Sequence, residues 1–219
     1  KLNAPPTIEF SGKEKLADTF RELAKDNTKK EIEQSKLQDE YSLRCLTQHM
    51  GPVYEIFKTS YEWAYKEINS QSDNPMIYED EVISGGNFYG GYLTHAADNA
   101  SIVIAKISEL LDRQTFHLVS GKSNLPINLI EQGENGNYYH GLKGVHQQSN
   151  SLFMKINSQS LPHSLFTRSC ESHNQDIVSN CFNAHIGLKG QIENFSLLLS
   201  CHMTLASQAL ELSGKKSLN

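Results

Sequence analysis

The chain has 219 residues, 38% of them hydrophobic and 21% charged, and carries a net charge of -5 at pH 7. That length suffices for one large domain with a substantial core, and the acidic balance argues against nucleic acid as the main partner, because neutralising phosphates needs clustered Lys and Arg. No stretch approaches the roughly 20 apolar residues of a membrane span and no charged-then-apolar segment opens the chain, so a cytoplasmic protein is expected.

Residues 1–10 hold Pro5 and Pro6 without any period and read as an extended lead-in. From Ser11, a candidate N-cap with Glu14 three residues on, Leu16, Phe20 and Leu23 recur at helical spacing and predict a helix to about Asp26. Residues 27–34 are charged and are expected to be mobile. The run Gln38-Asp39-Glu40-Tyr41-Ser42-Leu43-Arg44-Cys45 then places an amide, a phenol and a guanidinium close together. Arginine matches a carboxylate with two bonds at once, while tyrosine and glutamine accept or pass protons. The run reads either as a site or as a solvated helix start with a surface arginine.

Met50, Val53, Phe57, Tyr61, Ala64 and Ile68 predict a long helix with Pro52 near its start or at a kink. Residues 69–91 hold Asp73-Asn74-Pro75, two Gly-Gly pairs and the fragments Met76-Ile77-Tyr78 and Val82-Ile83 around Glu79-Asp80-Glu81. They predict a short hairpin inside a loop, the one place where strand is expected. Ala96, Ala100, Val103, Ile107, Leu110 and Leu118 form an apolar stripe, with Asp98, Lys106, Glu109, Asp112 and Arg113 mostly off it. This is a helix of about 28 residues, roughly 42 Å long. A loop over 121–136 and a shorter helix through Leu142, Val145, Leu152 and Ile156 follow, broken at Leu161-Pro162-His163. Finally Ile177, Cys181, Ala184, Leu188, Ile192, Phe195, Leu199, Leu205 and Leu212 predict a long helix closed by Gly214. The fold class is therefore all-α, a bundle of long helices with one short hairpin, in a single domain over 1–219. Helices this long imply a core shared with other subunits.

Several patterns are discarded. Gly121-Lys122-Ser123 lacks the glycine a phosphate loop needs five positions earlier, where Phe116 stands. Asn99-Ala100-Ser101 and Asn194-Phe195-Ser196 fall inside predicted helices and are chance sequons. Cys45, Cys170, Cys181 and Cys201 are too widely spaced for Cys-x-x-Cys chemistry and read as reduced, half-buried thiols. None of the nine histidines falls in His-Glu-x-x-His spacing, so no metal is expected; His95, His117, His140 and His202 read as core or surface fillers. Ser84-Gly85-Gly86-Asn87-Phe88-Tyr89-Gly90-Gly91 is either a flexible turn or a place of close backbone approach. Glu171, Asn174, Gln175 and Asp176, read as the start of the last helix, could serve only as capping and macrodipole residues.

Taken in order, the Tyr-Ser-Leu-Arg-Cys run, Ser72-Asp73-Asn74-Pro75, Ser84-Gly85-Gly86-Asn87-Phe88 and His173-Asn174-Gln175-Asp176-Ile177-Val178-Ser179 resemble the ammonia-lyases and aminomutases of aromatic amino acids. The resemblance extends with gaps from about Ser11 to about Gly214. It implies elimination of ammonia from an aromatic amino acid, or a 2,3-amine shift, by a methylidene-imidazolone electrophile made from Ala-Ser-Gly. In that reading Arg44 holds the substrate carboxylate, Tyr41 and Gln38 hydrogen-bond around the electrophile, and Asn87 and Phe88 line its pocket. Gln175 faces the substrate ring, with Glu171 four residues before it. Lyases that prefer histidine usually carry glutamate at the position of Gln175, so the resemblance implies a phenylalanine or tyrosine type.

One departure is sharp. The sequence contains no Ala-Ser-Gly, since each Ser-Gly pair follows Phe10, Ile83, Val119 or Leu212. The family's N-terminal half, with that tripeptide, a general-base tyrosine loop and a substrate-binding asparagine, has no counterpart. The resemblance therefore implies the C-terminal half of a lyase that needs a second polypeptide to supply the electrophile. Its members are tetramers whose sites combine loops from three chains. The alternatives are a non-catalytic partner of the same fold and a proteolysed or truncated chain.

Overall fold

The computed structural model describes residues 10–24, 38–122, 124–131, 133, 136 and 138–214. The expected lead-in over 1–10, all but its last residue, the helix end near Asp26, the charged segment 27–34 and the Lys215-Lys216 pair lie outside them. The helices are α1 (Ser11–Ala24), α2 (Tyr41–Arg44), α3 (Leu46–Ile68), α4 (Gly91–Val119), α5 (Lys143–Ser158) and α6 (Cys181–Leu212). Their lengths follow the apolar periods in the sequence, and the all-α class holds. The one sheet among the described residues is the expected hairpin, β1 (Met76–Tyr78) antiparallel to β2 (Glu81–Ile83), with Ile77 opposite Val82. Glu79 and Asp80 take φ values of 49° and 64°. Two left-handed residues in a row give a turn whose twist matches the strands it joins. Pro52 falls inside α3, and Gly214, at φ 66°, follows the end of α6.

α4 is the element on which α3, α5 and α6 all pack. Ile104 and Ala105 of α4 meet Leu152 and Ile156 of α5 and Leu198 of α6 in one apolar cluster. Val119, Leu129, Leu205 and Ala209 form another at the far end of α4. Between helices runs a seam that the apolar stripe does not reveal. Thr94, Ser101, Ser108 and Thr115 sit seven residues apart along α4, all buried. Small side chains let the helices approach, and two of the hydroxyls are satisfied within the helix, Thr94 donating to Gly90 O at 3.0 Å and Ser108 to Ile104 O at 2.8 Å, while Thr115 Oγ1 lies 2.8 Å from His202 Nδ1 of α6. Gln191, fully buried on α6, donates to Ser101 O, Ile156 O and Ser160 Oγ at 3.2, 3.2 and 2.8 Å, so one amide ties α4, α5 and α6 together.

Four expectations are corrected. Ser11 does not cap α1 but lies in its first turn. The orphan amide of Gly12 is instead met by Glu55 of α3 at 2.9 Å, because Gly12 and Gly51 let the two helices touch: a Cβ on Gly12 would sit 2.6 Å from Gly51 O. Asp98 and Asp112, read as off the core stripe, are both buried. Cys170 is exposed, not half-buried. The last helix begins at Cys181, so Glu171, Asn174, Gln175 and Asp176 belong to a separate turn before it and cannot be its capping residues. Among the described residues no helix is long and apolar enough to cross a membrane.

Candidate functional site

The residues singled out by the sequence fall into two groups, one at each end of α4. At its N-terminal end, residues 84–91 wrap from the hairpin into the helix. Gly90 has φ 69°, a left-handed turn open to glycine. A Cβ on Gly90 would lie 3.5 Å from the Cβ of Cys181, so this glycine turn packs against the start of α6. Asn87 is tethered by Nδ2 donating to Gln71 O at 3.2 Å, while Phe88 is exposed. Beside them lies a recess of about 420 Å³ lined by Glu67, Ser70, Asn87, Tyr89, Tyr92 and His95. Tyr92 and His95 share one helical face immediately after the glycines; that i, i+3 spacing is the signal by which sequence reasoning could have found them.

Gln175 lies in the segment leading into α6, whose start meets Gly90, and it sits there on a tightly bonded turn. Cys170 N donates to Gln175 O at 2.9 Å, closing an isolated antiparallel bridge. Within the bridge Glu171, Ser172 and His173 take φ of 50°, 54° and 67°. Left-handed backbone costs a non-glycine residue roughly 1–2 kcal/mol, so three in succession mark stored strain. Side chains hold the turn: Gln175 Nε2 donates to Glu171 Oε2 at 2.9 Å, the Cys170 thiol to Gln175 Oε1 at 3.3 Å, and Ser169 Oγ lies 2.7 Å from His173 Nδ1. Glu171 thus fixes the orientation of the Gln175 amide. Cys181, just beyond, is half-buried, and burial pushes its thiol up from the ordinary value.

The other group lies at the C-terminal end of α4. Tyr41 and Arg44 occupy the single turn of α2, and Gln38 precedes it, exposed. Ser42 docks this turn on α4, its Oγ 3.1 Å from His117 Nε2 and its carbonyl accepting Gln114 Nε2 at 3.4 Å. Tyr41 and Arg44 both face out, the guanidinium 4.8 Å from the centre of the Tyr41 ring. Among the described residues no carboxylate pairs with Arg44. A second recess, about 400 Å³, runs between Tyr41, Gln48, His49, Glu109 and Arg113. A hydrogen bond from Lys106 holds the Glu109 carboxyl below the usual range.

From Gly91 to His117 the rise of an α-helix amounts to roughly 39 Å. The structure therefore brings Asn87 and Phe88 close to the root of the Gln175 segment, and it keeps Gln38, Tyr41 and Arg44 far from both.

The comparisons agree with the motifs. The histidine ammonia-lyase of Vibrio parahaemolyticus serotype O3:K6 is 33% identical over 199 residues, which is 90% of this chain and 38% of that relative. A phenylalanine aminomutase from Pantoea agglomerans superimposes with a TM-score of 0.83 at 26% identity, over 94% of this chain and 44% of that one. A histidine ammonia-lyase from Trypanosoma cruzi shares the fold, with a TM-score of 0.83 at 24% identity over 96% of this chain and 40% of that one. The chain spans about two fifths of the length of the curated relatives it matches. The family of aromatic amino acid lyases matches residues 7–218, nearly the whole sequence, and the chain belongs to that family.

Proposed function

We propose that the chain is one component of an ammonia-lyase for phenylalanine- or tyrosine-type substrates, working beside a second polypeptide whose Ala-Ser-Gly becomes the methylidene-imidazolone. The observation that carries this reading is the separation just described. The guanidinium of Arg44 and the phenol of Tyr41 are exposed, with no acidic partner among the described residues, and the ring-facing candidates Gln175 and Phe88 are exposed toward the other end of the helix. A substrate the size of an amino acid touches only one of these groups in a single chain, so a working site needs several chains.

In the assembled site Arg44 binds the substrate carboxylate through its planar fork. Tyr41 and Gln38 hydrogen-bond around the electrophile, and the phenol can accept and return a proton there. Asn87 and Phe88 line the pocket, and Gln175, braced by Glu171, meets the ring. The chain's own residues fit the prosthetic group as neighbours and not as its source. The Cβ position of Gly86 faces open space, with nothing within 4 Å, so this backbone stands clear for a group arriving from outside the chain. When bound, the electrophile takes up electrons from the amine or the ring and so eases loss of the β-proton. A 2,3-aminomutase would use the same contacts and keep the amine.

A second reading, with histidine as substrate, is favoured by the names of the curated relatives, which are histidine ammonia-lyases. Gln175 separates the two. A neutral amide suits a phenyl or phenol ring, whereas a carboxylate there would attract an imidazole. The test uses the chain assembled with an Ala-Ser-Gly-bearing lyase half, and follows cinnamate, coumarate or urocanate absorbance with each amino acid. Phenylalanine or tyrosine is expected to react faster, and Gln175→Glu to move the ratio of specificity constants toward histidine. Preferential urocanate formation by the wild-type assembly would give the histidine reading. No unsaturated acid and no migrated amine from any substrate would leave a non-catalytic subunit.

A further inference from the structure

Asp98 is a carboxylate on α4 that the chemistry above does not use, and it is 5% exposed. A buried carboxylate costs free energy unless its lone pairs are met. Here both oxygens accept backbone N–H groups of one short turn, from His163 at 2.8 Å and from Ser164 at 3.0 Å. The same turn is held from the other side. Asn180, left-handed at φ 61°, donates from Nδ2 to His163 O at 2.9 Å, and its own Oδ1 accepts Asn183 Nδ2 at 2.7 Å. The His163 ring lies against α6 at Gly187, where an added Cβ would come 2.5 Å from Nε2. Residues 163 and 180, far apart in sequence, are thereby joined to each other, to α4 and to α6.

Everything between these two points is exposed or nearly so, and it includes the strained turn with Glu171 and Gln175. Successive left-handed residues persist only where surrounding structure over-determines them. The bonds inside the turn fix its shape, but nothing inside it fixes where the turn points. Its two feet do that, and both feet end on Asp98 and Asn180. We propose that Asp98 and Asn180 are positioning residues: a clasp that closes the 163–180 loop against α4 and α6 and so sets the direction in which Gln175 is presented. The consequence for substrate rests on the lyase reading above; the clasp itself does not.

Asp98→Asn turns one acceptor into a donor that faces an amide N–H, Asn180→Ala removes the second closure at a half-buried position outside the core, and Asn180→Gly, which keeps the left-handed backbone without strain, must give the same result. The first arm is hydrogen exchange on the full chain. Peptides within 163–179 should exchange about tenfold faster in each variant, while those of α4 from 99 onward and of α6 beyond 190 stay within about twofold of wild type. Unchanged exchange in 163–179, or an equal rise along the whole chain, would overturn the clasp. Should Asp98→Asn fail to fold, Asn180→Ala alone decides this arm. The second arm uses the chain assembled with an Ala-Ser-Gly-bearing half. Each variant should raise KM and shift the tyrosine-to-histidine ratio of kcat/KM by about fivefold or more, in the direction that Gln175→Ala shifts it, and Asn180→Ala combined with Gln175→Ala should add little further. A merely structural loss lowers kcat for both amino acids alike and leaves KM and the ratio in place, and that result would refute the positioning role. If wild-type assembly forms no product at all, the lyase reading falls while the exchange arm still decides the clasp.

Discussion

One face of α6 predicts how the chain behaves on its own. Phe182, Ile186, Leu197 and Met203 lie within about a third of the helix circumference and are 78, 56, 56 and 61% exposed. Between Glu193 and Glu211 the helix carries no charge at all. Fully burying one such side chain is worth about 1.5–3 kcal/mol, so covering what is exposed here gives roughly 4–8 kcal/mol per chain. In a twofold contact both chains contribute, about 8–15 kcal/mol in all, which is of the same size as an association cost of about 4–15 kcal/mol. The isolated chain is therefore expected to associate as its concentration is raised. Leu197→Glu with Met203→Lys removes nearly half of this gain on each side, about 4–7 kcal/mol in a pair, which weakens association by about a thousandfold or more. Light scattering behind size-exclusion chromatography reads the mass, and circular dichroism confirms that the helices remain. A well-folded wild-type monomer would refute the reasoning, as would a variant of unchanged mass.

Two further outcomes follow from particular side chains. Arg44→Lys should leave unfolding within about 0.5 kcal/mol of wild type, because the residue is exposed and meets no carboxylate among the described residues, yet cost about 1–3 kcal/mol in kcat/KM of the assembled enzyme, because a point charge cannot replace the fork; unchanged kinetics would make Arg44 a surface residue. Burial holds the imidazole of His202, 2.8 Å from Thr115 Oγ1, below its ordinary value of 6.5. Below that value the unfolded chain takes up a proton that the folded chain refuses, so stability falls as pH drops through 6.5 toward the folded value. Thermal unfolding between pH 7.5 and 5.5 should lose less in His202→Gln than in wild type, and parallel losses would contradict the assignment.

The long helices were legible because α4 and α6 repeat apolar residues every three or four positions over about thirty residues, a signal that no loop imitates. The hairpin was legible from its turn chemistry. What stayed hidden depends on tertiary partners. The cap of α1 comes from Glu55, which no local pattern connects with Gly12. Asp98 and Asp112 look like surface charges until the elements packed over them are known, and burial then pushes the Asp112 carboxyl up against the opposing pull of Arg113. The seven-residue spacing of Thr94, Ser101, Ser108 and Thr115 was present in the sequence but carried no apolar weight. The motif residues themselves were legible, whereas their distribution over two ends of one helix was not. Chain order says that Arg44 precedes Asn87, and only the length of α4 and the docking of Ser42 near His117 turn that order into a separation.

That separation yields a test of how the site is assembled. If Arg44 and Gln175 act on one substrate, each site draws its arginine from one chain and its amide from another. In a closed contact with twofold symmetry the exchange is mutual, since what one chain lends it also receives. Arg44→Ala and Gln175→Ala should each abolish most activity in the assembled enzyme when present in every chain. Co-assembled in equal amounts, the two variants mix at random. A site is then intact when its arginine comes from the Gln175→Ala chain and its amide from the Arg44→Ala chain, each with a chance of one half, so about a quarter of sites should recover. Placing both substitutions in one chain and mixing it with wild type gives the control, in which a quarter of sites keep both groups by the same arithmetic but the parent wild type is already active. Recovery near a quarter from two inactive parents would be hard to obtain any other way. No recovery, with subunit exchange verified by mass, would mean that one chain serves a site with both residues, and the distance along α4 forbids that unless one of them has no part in the chemistry.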